Sequence, residues 1–171
     1  MGKALADRHL TIVFGGGKTG MMGALADSAL AAGGEVIGVI PEFFNTPALV
    51  HSGLSALHVV DSMHTRKAQM ASLSDGFIAL PGGFGTLEEL FETLTGSQVG
   101  LHAKPVAVLN SSGYYDRLLE VIDFARLEGF IYDEHRSMIL CETQPGELID
   151  RMKAFRPQSL PNRWLTRQEE E

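Results

Sequence analysis

Pro81-Gly82-Gly83-Phe84-Gly85-Thr86-Leu87-Glu88-Glu89 decides how this chain is read. It follows a short apolar run, Phe77 to Leu80, of the kind that forms a buried strand. It precedes Leu87, Leu90, Phe91 and Leu94, whose three- and four-residue spacing is that of a helix face. The stretch is therefore strand, glycine turn, helix. Gly82, Gly83 and Gly85 leave the turn without Cβ atoms. Bare N–H groups at a helix start bind anions, because the first donors have no partner within the helix and the dipole is positive there. Thr86 can cap this helix and can also turn its hydroxyl to a ligand, and Glu89 falls in the first turn. Thr86-Leu87-Glu88-Glu89 equally fits a capping box with a purely structural purpose. Three glycines and a proline directly before it favour a phosphate cradle with a carboxylate one turn away.

Working outward, apolar runs alternate with helical patterns. Strands are expected at Leu10–Phe14, Val36–Ile40, Ala56–Val60, Gly76–Leu80, Pro105–Leu109 and Met138–Cys141. Helices are expected over Met21–Ala32, which Gly33-Gly34 ends, over Met63–Leu73 with Asp61 or Ser62 as cap, from the central motif to Gly96, over Tyr114–Leu127 and over Pro145–Ala154. Continuous apolar strands between helices predict an α/β fold, a Rossmann-like, doubly wound parallel sheet in a single domain over residues 1–155. Residues 156–171, with two prolines and three final glutamates, are expected to fray. Ligands of such folds sit beyond the carboxyl ends of the strands.

Two further motifs lie there. Gly15-Gly16-Gly17-Lys18-Thr19-Gly20 fits GxGxxG after a strand, a weak dinucleotide signal when alone. It is not a P-loop, since Ile12 stands where the first glycine belongs. The other is Met63-His64-Thr65-Arg66-Lys67. Two cations in the first turn of a helix oppose its dipole, which points to an anion for them to bind.

PGGFGTLEE, MHTRK ahead of Met70, and GGGKTGMMG from Gly15 to Gly23 together resemble the Lonely guy family, the cytokinin riboside 5′-monophosphate phosphoribohydrolases, formerly described as lysine decarboxylases. The resemblance runs from about Lys3 to about Met152. It implies hydrolysis of the N-glycosidic bond of a purine nucleoside 5′-monophosphate, AMP or a cytokinin nucleotide, with no cofactor. It implies Arg66 and Glu89 as the catalytic pair and Met63 near the base. Lys67, Gly82, Gly83, Gly85, Thr86, Glu88, Gly16 and Gly17 complete the expected substrate-binding set. A homodimer is expected from the family and from the apolar face around Met63, Met70 and Leu73. The alternative is a nucleotide or molybdenum-cofactor carrier without turnover. A pyridoxal phosphate-dependent decarboxylase would need a Schiff-base lysine in a much larger fold. Two departures stand out. Relatives usually carry one more strand and a glycine-serine loop before the segment starting at Lys3, so either the phosphate site is incomplete or the natural start lies upstream. Relatives often have Trp-Ala where this chain has Gly96-Ser97, which removes a large packing element.

Composition narrows the classes. The chain has 171 residues, 44% hydrophobic and 20% charged, as in a soluble globular protein. Its net charge of −7 argues against general nucleic-acid binding, so a phosphate must be held by local donors. Neither a signal peptide nor a membrane span is present, and Ala6 breaks the myristoylation pattern, so a cytoplasmic enzyme is expected. The single cysteine, Cys141, reads as a buried core thiol. The six histidines show no metal spacing, and no metal is expected.

Overall fold

The computed structural model describes residues 1–157, so the expected fraying of the tail concerns a segment almost wholly outside the described residues. The α/β class with parallel strands is borne out. The elements gather into two compact units, Met1–Asp75 and the chain from Gly76 onward.

The first unit contains α1 (Gly2–Ala6), β1 (Ile12–Phe14), α2 (Gly20–Leu30), β2 (Val36–Pro41), a 3₁₀ turn at Glu42–Phe44, β3 (Ala56–Val60) and α3 (Met63–Leu73). Its strands form a parallel sheet in the order β1-β2-β3, with Ile12 opposite Val36 and Ile37 opposite Ala56. The middle strand is buried at every position but Ile37, which is why Val36 to Ile40 reads as a continuous apolar run. Ile12, Phe14, Ala26, Ala29 and Val36 form the core. Small residues let α1 lie tightly on α2: a Cβ on Gly2 would run into the backbone of Leu25 and Ala29. Gly33, at φ +75°, ends α2 as expected, and the Gly34 N–H returns to Ala29 O at 2.9 Å.

The second unit contains β4 (Phe77–Ala79), α4 (Phe84–Gln98), β5 (Val106–Leu109), a 3₁₀ turn at Ser111–Gly113, α5 (Asp116–Leu127), α6 (Asp133–Arg136), β6 (Ile139–Glu142) and α7 (Pro145–Ala154). The parallel order is β4-β5-β6, with Phe77 opposite Val106 and Val106 opposite Ile139. All four residues of the central strand are buried. Leu90, Val106, Val108, Tyr115, Ile122 and Ile139 form the core. The four-residue helix α6 is not foreseen by the periodicity, being too short to show one.

Three expectations need correction here. Helix α4 begins at Phe84 with Gly83 as its cap, so Thr86 is the third helical residue and the Thr86–Glu89 capping box does not form. Glu89 is the sixth helical residue and lies in the second turn. Glycine at the cap position suffices because its own carbonyl already accepts from Leu87 N, at 3.1 Å. Cys141 is half-buried rather than buried, packed beside the second core. Burial still pushes its thiol pKa up, which disfavours a nucleophilic thiolate.

At Gly96 the space beside the helix is already filled. This glycine is buried inside α4, and a Cβ on it would lie 3.3 Å from the His102 ring. That imidazole occupies the space. Its Nε2 pairs with Thr93 O at 3.0 Å, its Nδ1 accepts from Lys104 N at 3.2 Å, and its ring centroid lies 5.3 Å from that of Phe77.

Candidate active site

In the first unit the glycine loop and α3 are brought together. Arg66 lays its guanidinium directly over Gly15, where any Cβ would collide with it. Its Nη1 also contacts the Met63 sulfur at 3.7 Å. Met63 and Arg66 stand one helical turn apart, so both reach the same side of α3. The helix is fixed at its start by Ser62, whose hydroxyl accepts from Thr65 N at 3.1 Å. Arg66 closes the first turn, while Lys67 opens the second; both are half-buried.

Gly16 and Gly17 have identifiable backbone duties. Gly16 is buried at φ +75°, and its carbonyl accepts from His51 N at 2.9 Å. Gly17 forms an antiparallel bridge with Val50, and a Cβ on it would strike the Met22 methyl. Lys18 is drawn away from the loop, with its Nζ donating to Pro47 O at 2.6 Å. The loop thus packs against the irregular segment that follows β2, and Gly15 is the member that faces a cation.

In the second unit the central motif forms the turn from β4 into α4. Leu87 is the first donor of the helical ladder, which leaves the N–H groups of Phe84, Gly85 and Thr86 ahead of it. Side chains built on Gly83 or Gly85 would meet nothing within 4 Å among the described residues. Neither glycine adopts a positive φ. Packing within this unit therefore does not require glycine at these two positions, whereas access of a ligand to bare backbone does. Gly82 differs, since a Cβ there would run into the Thr86 hydroxyl, which hangs over the turn. Glu89 is half-buried and Glu88 exposed, as expected of neighbours about 100° apart on a helix. Phe84, in the middle of the motif, is 93% exposed.

The turn is gripped from the loop after β5, to which the sequence reading assigns no role. Tyr115 Oη donates to Leu80 O at 2.6 Å, and Tyr114 Oη donates to Gly82 O at 2.5 Å. The available signal was the Gly-Tyr-Tyr-Asp run beyond a strand end. Among the described residues no group of three His, Cys, Asp or Glu is placed to hold a metal ion. No described helix is long and apolar enough to cross a membrane.

Comparison with known proteins gives a consistent result. Residues 22–152 match the family model described as "possible lysine decarboxylase". The chain is 53% identical over 150 residues to cytokinin riboside 5′-monophosphate phosphoribohydrolase of Rhodococcoides fascians, covering 86% of this chain and 76% of that protein. It is 45% identical over 157 residues to the probable cytokinin riboside 5′-monophosphate phosphoribohydrolase LOGL3 of Oryza sativa subsp. japonica, covering 92% and 74%. Among solved structures it is similar to the molybdenum cofactor binding protein of Rippkaea orientalis, with a TM-score of 0.66, 24% identity, and 90% and 82% of the two chains covered. A likeness at that identity speaks to the fold alone. The length of the family match and the identity to these relatives establish that the chain belongs to the Lonely guy family.

Proposed function

We infer that this protein hydrolyses the N-glycosidic bond of a purine nucleoside 5′-monophosphate, consuming water and releasing free base and ribose 5-phosphate. The observation that carries the reading is the 53% and 45% identity to relatives named as phosphoribohydrolases, spread over most of the chain. Geometry adds the bare glycine turn at α4, suited to a phosphate, and Arg66 held over Gly15.

Each residue then has a task. The backbone from Gly82 to Thr86 holds the 5′-phosphate, with the Thr86 hydroxyl beside it. Arg66 offers a planar fork to phosphate or ribose hydroxyls, and Lys67 adds a point charge. Met63 lies toward the base, with Gly16 and Gly17 lining the nucleotide and Glu88 at its margin. As the bond to the base breaks, the sugar gains oxocarbenium character. The Glu89 carboxylate stabilises that cation and orients or activates the attacking water. Anchoring the phosphate fixes the anomeric carbon for attack. Adenine and a prenylated adenine differ by a few methylene groups, and pocket walls discriminate on that scale by only ~1–3 kcal/mol. Both nucleotides are therefore substrates to test. The reading also includes a homodimer, which the exposed Met63 and Leu73 of α3 support, and a cytoplasmic location. The alternative, a cofactor carrier, draws on fold likeness at 24% and 22% identity and on nothing in the site.

Glu89→Gln tests the assignment. The capping box being absent, this change removes a charge without removing a cap. Base release should fall by roughly 10²–10³, the scale of one aligned electrostatic group. Melting temperature and nucleotide affinity should stay close to wild type. A Glu89→Gln protein with wild-type turnover would overturn the catalytic role.

A further inference from the structure

The β5–α5 loop is built with more care than a connection needs. Ser112, at φ +57°, and Gly113, at φ +72°, turn it sharply. Asn110, the one buried polar side chain among the described residues, locks that turn. Its Oδ1 accepts from Tyr115 N at 2.7 Å and its Nδ2 donates to Asp116 Oδ1 at 2.7 Å. The result is a pair of adjacent tyrosines, edge to face with centroids 5.0 Å apart, whose hydroxyls reach two carbonyls of the glycine turn.

The two carbonyls are not equivalent. Leu80 O belongs to the peptide leading into Pro81, which has no N–H, and β4 ends at Ala79. Tyr115, only 1% exposed, satisfies this carbonyl beyond the ladder. Gly82 O belongs to the same peptide plane as the Gly83 N–H. A trans peptide points the two in opposite directions, so holding one aims the other. Tyr114 is 50% exposed and its ring contributes little to the core, yet its hydroxyl closes on Gly82 O. A turn holding three glycines is otherwise costly to order.

We propose that Tyr114 is a positioning residue that holds the Gly82–Gly83 peptide with its N–H turned outward to receive the substrate phosphate, and that Tyr115 supports it by fixing the Leu80 carbonyl at the start of the same turn. The proposal rests on the hydrolase reading only in naming that phosphate as part of a nucleotide. Holding a carbonyl also polarises its peptide, which strengthens the opposite N–H as a donor. Because a phosphate is bound alike before and during bond cleavage, the tyrosines should act on substrate affinity and leave the chemical step nearly untouched.

The test compares wild type with Tyr114→Phe and Tyr115→Phe. Base release from AMP gives KM and kcat, and calorimetry gives affinity for ribose 5-phosphate and, separately, for adenine. Tyr114→Phe should raise KM about 5–10-fold, the scale of one neutral hydrogen bond. It should weaken ribose 5-phosphate by the same factor, with kcat and adenine affinity held within about twofold. Unchanged KM and ribose 5-phosphate affinity would overturn the proposal, as would a loss shared equally by adenine. A wild type that binds no ribose 5-phosphate would overturn it too. If Tyr115→Phe fails to fold, Tyr114→Phe decides alone. If wild type binds ribose 5-phosphate but releases no base, the hydrolase reading falls, and the tyrosines are still judged on ribose 5-phosphate affinity.

Discussion

Gly15 and Arg66 are 51 positions apart in the sequence, and neither explains the other until they touch. The glycine provides room, and the guanidinium uses it. A methyl group at position 15 would push aside the far end of a flexible side chain, which is a cheap adjustment for the fold. Gly15→Ala should therefore keep stability within ~1 kcal/mol of wild type. It should lower kcat/KM by an order of magnitude or more, because displacement of a positioning group by about 1 Å is costly to catalysis. Thermal melts and steady-state kinetics on one variant check both halves; full activity would remove Arg66 from its assigned place. The residue scale is also where sequence was least sufficient. Arg66 and Glu89 were legible as motif members, but the Thr86 cap was not settled by spacing. A helix can begin at any of several residues in a Gly-Phe-Gly-Thr run, and the competing cap, Gly83, has no side chain to announce itself. Tyr114 and Tyr115 were illegible as site residues because their role is a pair of bonds to carbonyls 32 and 35 positions away.

At the scale of elements, α3 and α4 start in opposite ways. Ser62 caps α3 through Thr65 N, and the Asp61 carboxylate joins it by accepting from the Thr65 hydroxyl at 2.5 Å. The bond from the Thr65 hydroxyl first, then one from the Ser62 side chain, hold the Asp61 pKa below its ordinary value. Ser62→Ala should cost ~1 kcal/mol, read as a lower midpoint in urea. Helix α4 has no side-chain cap, which leaves its start open to the proposed phosphate. The loop that grips it has its own pH signature. Burial first, then the neighbouring Tyr114, push the Tyr115 phenol up to about 12. A folded-state pKa above the unfolded one means stability that is complete below pH ~10 and is lost as pH rises toward 12. Wild type should lose ~2–3 kcal/mol more than Tyr115→Phe across that window. Equal losses, measured by urea denaturation at its two ends, would contradict the burial of this hydroxyl. Strand order and the longer helices were legible, since buried parallel strands carry apolar runs that flanking glycines and prolines punctuate, whereas the four-residue α6 was too short to show a period. His102 against Gly96 was not legible, because a contact made from beyond the helix leaves no periodic trace.

At the scale of the whole molecule, the charge of −7 repels the substrate this chain is proposed to take. Binding must come from donors aimed at the phosphate, so phosphate should be indispensable to turnover. The direct measurement is base release, by chromatography, from AMP and isopentenyladenosine monophosphate beside the nucleosides adenosine and isopentenyladenosine. The account predicts free base with ribose 5-phosphate from at least one nucleotide and none from either nucleoside. Equal rates on nucleotide and nucleoside, or release from none of the four, would contradict it.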